Sequence, residues 1–211
     1  MSVPLSQVLT TARTYLNDDL GTQFPDQVLI PKVQEAHREL QEELWNIGSP
    51  LVRAQTAVLA YTTPAADLTT ALVGVTDLLC PISIFENAPA ATVASAGWAP
   101  LTEQFYLPLG ITPGPNLIWW CWQKEVILVS PANANRTVII QYRRQIPIPA
   151  AQNDLIGILF GESFLSARAA GMAAGTVGNA DALAAMTALA SSNLAKVLSA
   201  NRGQQKSSMR P

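Results

Sequence analysis

Apolar residues return at steps of three and four through Phe24–Gly48, at Leu29, Val33, Ala36, Leu40, Leu44 and Ile47. That spacing puts them on one stripe of an α-helix, with Lys32, Glu35, Arg38, Glu39, Glu42 and Glu43 on the remaining faces. Asp26 is placed to cap the start, and Gly48, followed at once by Pro50, to stop the helix. Pro31 is the awkward residue, because a helix-interior proline costs about 3 kcal/mol. The helix therefore begins near Ile30 or kinks at Pro31. Ahead of it, Leu5, Val8, Leu9, Ala12 and Leu16 predict a helix over 5–16, broken by Asn17-Asp18-Asp19-Leu20-Gly21. The two helices make an αα-hairpin.

After Gly48 the period shortens. Leu51–Tyr61 predicts a strand with Val52, Ala54, Val58 and Ala60 on one face, and Leu78–Phe85 a second strand bent by Pro81. Thr62–Thr76 reads as the loop between them. Asn87–Pro115 is poor in charge and rich in Ala, Pro and Gly, a length of loop that compact domains keep for function or for a neighbour. Leu117–Trp122, Glu125–Val129 and Arg136–Tyr142 complete an inserted antiparallel β-domain of about five strands. Trp119, Trp120 and Trp122 invite a ligand-stacking role. Adjacent strand residues point to opposite faces, however, so at least one of them anchors the core.

From Asp154 the helical period returns. Leu155–Ala174 predicts a helix, Thr176–Asn179 breaks it, and Asn179 or Asp181 starts a last helix through Ala200. In that last helix Leu183, Met186, Leu189, Leu194, Val197 and Leu198 are expected inward. Alanine and glycine dominate both helices, and small residues let backbones approach closely. Gly203–Pro211 is polar and basic with no core-facing pattern, which predicts disorder. The expected fold class is α+β, mainly helical. An N-terminal helical hairpin (1–50) and an Ala-rich C-terminal hairpin (151–202) pack as a bundle. A small antiparallel β-domain with its Pro-rich loop (51–150) is inserted between them, and a flexible basic tail (203–211) follows.

Composition narrows the function classes. A net charge of −2 over 211 residues argues against a protein whose main task is gripping phosphates. The charge is uneven: five acids meet two bases over Asp26–Gly48, whereas five bases meet two acids from Leu155 to the end. Prolines 108, 113 and 115 cut the longest uncharged window, Gln104–Gln123, so no membrane-spanning helix is expected there. The first ten residues lack the basic-then-apolar order of a signal peptide. Cys80 and Cys121, in apolar runs, are expected reduced and buried.

No catalytic motif emerges. His37 is the single histidine, without the HExxH spacing of a zinc hydrolase, and is expected on a helix surface or interface. Gly161-Glu162-Ser163-Phe164 lacks the closing glycine of a nucleophile elbow, and neither GxGxxG, a P-loop nor CxxC occurs. Asp18-Asp19 lacks the alternating acids of a calcium loop. The reading is of a protein that is not an enzyme and carries no cofactor or metal.

Three stretches carry a family resemblance. They are Phe24-Pro25-Asp26 with Leu29-Ile30, Val33, Glu35-Ala36 and Glu39-Leu40; Ile140-Gln141-Tyr142-Arg143-Arg144; and Leu165-Ser166-Ala167-Arg168-Ala169-Ala170 with its basic end. In this order the chain resembles the adaptor, or head-to-tail connector (head-completion), proteins of tailed bacteriophages. The resemblance implies a virion structural protein of the neck, assembled in the host cytoplasm. It would form a ring, typically a dodecamer, below the portal protein, receive a tail or nozzle protein, and continue the DNA channel. Genomic DNA would pass without specific binding, because an acidic wall repels phosphate. On this reading Glu35, Glu39, Glu42 and Glu43 line the channel, and Arg202, Lys206, Met209 and Arg210 contact the portal. Two other classes compete: a nucleic-acid-binding module using the basic C-terminal end, and a small hydrolase built on Glu162 and His37.

Overall fold

The chain forms, in order, β1 (Val3–Pro4), α1 (Leu5–Leu16), α2 (Asp26–Asn46), a 3-10 turn (Pro50–Val52), β2 (Arg53–Gln55), β3 (Leu59–Tyr61) and β4 (Leu78–Asn87). The short strands β5 (Ala99–Pro100) and β6 (Thr102–Glu103) follow, then β7 (Trp119–Gln123), β8 (Val126–Val129) and β9 (Arg136–Arg144). Last come β10 (Leu155–Ile156), α3 (Gly161–Thr176) and α4 (Ala180–Asn201). This computed structural model describes residues 3–62, 74–108 and 112–202. The tail 203–211 and much of the Thr62–Thr76 loop lie outside the described residues. Two compact units result, one from Met1–Val52 with Ile146–Pro211 and the other from Arg53–Gln145.

In the helical unit, α3 is the centre. α1, α2 and α4 all pack on it, while α1 and α2 share only a brief contact with each other. A helix surrounded in this way has no polar face to spare. Phe164, Leu165, Ala167, Ala169, Ala170, Ala173 and Ala174 are accordingly all buried. At Gly171 α3 lies close against α4: a Cβ built there would lie 3.3 Å from Met186 Cβ and 3.8 Å from the Thr187 backbone nitrogen. Leu5, Val8, Leu9, Leu29, Val33, Leu40 and Val197 fill the space around it.

The helix ends follow local chemistry. At the close of α2, Gly48 takes a left-handed φ of 68°. Its N–H donates to Trp45 O at 2.9 Å, while the Ser49 N–H donates to Leu44 O at 2.9 Å, the Schellman pattern. Asn17 ends α1 similarly at φ 54°. At the start of α2, Pro25 occupies the cap position and Asp26 is the first helical residue, its carboxylate engaged by Arg13 and Gln152. Asp26 is therefore not the cap that its residue type suggested, and Pro31 lies inside the helix rather than at its start. Asn179 does cap α4, accepting the Ala182 N–H at 3.0 Å.

α3 begins six residues later than its apolar run implied. Leu155–Ile156 instead pairs antiparallel with Val3–Pro4, and Phe160 turns into the helix at φ 58°. α4 is also less inward than expected. Val197 is buried, but Met186, Leu189, Leu194 and Leu198 are half-buried and Leu183 is exposed. By length and composition alone α4 could cross a membrane, with a mean hydropathy of 1.2, although only 17% of that window is buried in the fold.

The other unit is built on β9, which pairs antiparallel with β2, β3 and β4; β5 extends β4. Arg53 faces Arg143 and Gln55 faces Gln141, but Leu59 faces Val138, one residue out of step. That single extra residue is a bulge, and it flips the following side chains to the other face. Tyr61 is thus buried and Ala60 exposed, reversing the face predicted from Val58 and Ala60. β6 pairs with β7 in parallel and β7 with β8 antiparallel, a second sheet. Trp119 and Trp120 are both buried in β7, and Trp122 packs against the same core. Cys121 is buried, while Cys80 is half-buried rather than fully so; both are free thiols.

The mainly helical expectation is corrected. The protein is α+β with 40% helix and 24% strand, and among the described residues the strands form three sheets of 2, 5 and 3. Strands of two residues, such as β1, β5, β6 and β10, have no period of their own to read. Their pairing partner defines them.

Gly171 tests the close helix contact. Gly171→Leu forces a branched side chain against the α4 backbone and is expected to cost about 1–3 kcal/mol in urea unfolding, the range of core overpacking.

Candidate functional site

α2 and α4 run side by side in the same direction. Ser49, just past α2, donates from Oγ to the Asn201 carbonyl at the end of α4, at 2.8 Å. Some two to four turns earlier, Glu39, Glu42 and Glu43 of α2 face Thr187, Ala190, Ser191 and Leu194 of α4 across a groove of about 360 Å³. Phe164 and Arg168 of α3 form its floor. The carboxylates share this side because residues i, i+3 and i+4 neighbour one another on a helix.

Among the described residues of the lining Arg168 is the one base, and it pairs with Glu39. Its Nε donates at 2.7 Å and its Nη2 at 2.9 Å, a bidentate pair. The hydrogen bonds it donates to Glu39 raise the guanidinium pKa above its ordinary value. Glu42 and Glu43 line the same side, so three carboxylates stand over an apolar floor and wall. The hydroxyls of Thr187 and Ser191 donate back along their own helix, to Leu183 O and Thr187 O. Their oxygens remain acceptors. This arrangement can receive a cationic or donor-bearing group; it pairs no nucleophile with a base.

Of the residues expected at a channel, Glu39, Glu42 and Glu43 meet in this groove, while Glu35 lies exposed one turn before it. Arg202 is exposed at the end of α4. Lys206, Met209 and Arg210 lie outside the described residues. Sequence reading missed Arg168 as the partner of Glu39. Both were visible charges, but their partnership spans 129 residues of chain.

His37 corrects a second expectation: it is fully buried, not at a surface. It stands four residues after Val33 and seven before Leu44, so the buried stripe of α2 is wider than its apolar members and includes Gln41. The Gln41 amide is fixed by the chain returning from the β unit. The Ile146 N–H donates to Gln41 Oε1 at 2.8 Å, and Gln41 Nε2 donates to Ile146 O at 3.1 Å and to His37 Nδ1 at 3.0 Å. Since Nδ1 accepts, the imidazole proton sits on Nε2, which has no partner. With Nδ1 on Gln41 and Nε2 unpartnered, His37 makes no hydrogen bond to Glu162, the residue with which the hydrolase alternative paired it. Burial, aided by the Arg38 charge, lowers the His37 pKa to about 4.

Asp18 is held as an anion. Burial pushes its pKa up, yet N–H groups of Phe24, Gln23 and Thr22 and the Thr22 hydroxyl outweigh this and bring it below the ordinary value. A carboxylate ringed by donors is not offering its oxygens to a cation. Among the described residues no three His, Cys, Asp or Glu side chains converge as metal ligands.

The buried imidazole sets a pH dependence. The folded chain keeps His37 neutral down to about 4, whereas the unfolded chain takes up a proton below about 6.5. Its contribution is therefore complete above pH 6.5 and lost as pH falls toward 4, about 3 kcal/mol in all. Urea unfolding at pH 7 and at pH 4.5 should show most of that loss in the natural chain. The His37→Leu variant should lose correspondingly less over the same interval.

Comparison with protein-family models gives no match to this chain, and comparison with curated proteins gives none either.

Proposed function

We propose that this protein is a virion structural protein, an adaptor ring that joins a portal vertex to a tail and continues the DNA channel. One observation carries the reading: the separate stretches on which the resemblance to phage adaptors rests are the ones that organise the two units. Glu39-Leu40 of α2 meets Leu165–Ala170 of α3 through the Arg168–Glu39 pair and a shared core. Ile140–Arg144 belongs to β9, the strand around which the larger sheet is paired. The helical unit is closed by both ends of the chain with the β unit inserted, the element order that the resemblance implies.

The charges suit a channel. Glu35 and Glu42 are exposed on α2, where fixed negative charge repels DNA phosphates and lets the genome slide. Ring closure needs more than charge, since exposed ion pairs contribute roughly 0–1 kcal/mol each and micromolar binding needs about 8. The portal supplies symmetry and local concentration, and the basic residues Arg202, Lys206 and Arg210, with Met209, supply contacts repeated around the ring.

The isolated protein is expected to sediment as a monomer at micromolar concentration and physiological salt, and to form a ring when portal rings are added. A chain ending at Arg202 should keep the fold and fail to join. A closed ring without portal, or normal joining by the shortened chain, would overturn this assembly scheme. Salt-dependent retention of DNA by the monomer would favour the nucleic-acid-binding alternative.

The channel assignment has its own test. Glu35→Lys with Glu42→Lys should leave particles assembled and slow DNA ejection, most strongly at low salt, because lysines now attract phosphate. Ejection kinetics that match the natural particle across a range of salt would place this face away from the DNA.

A further inference from the structure

Where the chain re-enters the helical unit it forms a short strap, Ile146-Pro147-Ile148-Pro149, tied to α2 by side chains rather than by a sheet. Ile146 and Ile148 each precede a proline, which drives them to extended backbone. We propose that this strap is releasable and that His37 is its proton-operated catch: a proton on Nδ1 frees residues 146–149 from α2 while the helical core stays folded. The inference does not depend on the adaptor reading.

Two amides carry the strap. Gln34 Nε2 donates to Pro149 O at 3.1 Å. Gln41 grips Ile146 at both backbone atoms, its Oε1 accepting the N–H at 2.8 Å and its Nε2 donating to the carbonyl at 3.1 Å. Gln34 and Gln41 stand two turns apart on one side of the helix, about 10 Å, and the three steps from Ile146 to Pro149 cover about the same distance when extended. The ends beyond the strap are held separately. The Gln145 N–H donates to Asp77 O at 2.7 Å, and the Asp154 carboxylate accepts the Ala150 and Ala151 N–H groups at 2.8 Å each. Those last two bonds keep the Asp154 pKa below its ordinary value, so this anchor stays charged in mild acid. Opening is thereby confined to residues 146–149.

The Gln41 amide fits its place in one sense only. Both hydrogens of its nitrogen are used, one on Ile146 O and one on His37 Nδ1 at 3.0 Å, while its oxygen takes the Ile146 N–H. Turned over, it would set its NH2 against that N–H. A proton on Nδ1 converts the acceptor into a donor, so the NH2 then meets a donor in the ring. The proton and the closed strap therefore exclude each other. Among the described residues nothing relieves this conflict. His37 Nε2 is buried without a partner, and the strap carries no titratable side chain. Of the helices packed on α2, α3 brings Glu162 and Arg168, α4 Asp181 and Lys196, and α1 Arg13 and Tyr15, none of them bonded to His37. Arg38, the next residue on α2, adds a repulsive charge to the effect of burial. Opening the strap lets water reach the ring. The apolar core loses Ile146 from its edge and keeps the members it draws from elsewhere in the unit.

Amide hydrogen exchange of the full chain, read by NMR and corrected for the intrinsic effect of pH, tests this. The Ile146 N–H reports the strap, and the N–H groups of Leu165, Ala169 and Ala170 report the centre of α3. At pH 4.5 Ile146 is expected to be protected at least about tenfold less than the α3 amides, and to exchange at a rate that low urea leaves unchanged, the mark of a small opening. Its protection should fall at least about tenfold from pH 7 to pH 4.5. His37→Asn keeps an acceptor beside Gln41 and takes up no proton, so Ile146 protection should then be nearly equal at the two pH values. Gln41→Leu should expose Ile146 to exchange already at pH 7, with α3 still protected. Ile146 and α3 amides that exchange together, with the same urea dependence at both pH values, would overturn the proposal from the natural chain alone. An undiminished pH effect in His37→Asn would overturn it as well.

Discussion

The close contact of α3 with the helices around it is what the helical unit depends on. Three helices pack on α3, and they can do so because half of its residues are alanine or glycine. At Gly171 even one added carbon would press on Met186 and approach the α4 backbone. Small side chains contribute little apolar area each, so the favourable energy comes from larger residues on the surrounding helices, Leu5, Leu9, Leu29, Leu40 and Val197 among them, reaching over a thin centre. The polar contacts between α3 and α4 follow from the same proximity. Asn193 Nδ2 donates to Ser163 O at 3.0 Å in the first turn of α3, and Asn201 Nδ2 donates to Leu159 O at 2.9 Å just ahead of it, pinning α4 to the start of α3.

That packing also decides the electrostatics. With α3 at the centre, Arg168 is brought within bidentate reach of Glu39, and α4 is laid along the acidic side of α2. The acidic face of α2 is consequently not a uniform solvated stripe. Glu35 and Glu42 face outward, Glu39 is neutralised by a partner, and Glu43 is half-buried at the groove. On the opposite side of α2, Gln41 binds the backbone of Ile146 through both ends of its amide, holding the chain where it re-enters the helical unit. His37 satisfies the second N–H of that amide and is left with its own Nε2 unpartnered, a buried donor of the kind that costs about 1–3 kcal/mol.

The β unit shows a different kind of constraint. β9 takes hydrogen bonds on both edges, so every irregularity is absorbed by its neighbours. The bulge between β2 and β3 and the register shifts in β4 near Leu78 and Pro81 are such adjustments. At the first of them Thr56 closes the gap, donating its N–H to Ile140 O at 2.9 Å and accepting the Ile140 N–H on its hydroxyl at 3.1 Å. Asp77 caps the far end of the unit by accepting from the Tyr142 hydroxyl, and burial, reinforced by that bond, pushes the Tyr142 pKa up to about 12.

The sequence by itself determined the long elements. α1 and α2 follow from apolar steps of three and four, Gly48 stops α2 because only a left-handed residue completes its carbonyl pairing, and Asn179 caps α4 with its own side chain. These are short-range effects, and each is complete within a few residues. Tertiary structure decided the rest. Leu155–Ile156 is a strand because Val3–Pro4 lies beside it, and Tyr61 points inward because one residue of β2–β3 is squeezed out against β9. The candidate groove belongs with these. Its acids were legible as a cluster, but Arg168 answers Glu39 and α4 walls the opposite side only after the chain has folded, since such contacts join residues more than a hundred positions apart and leave no period in the sequence.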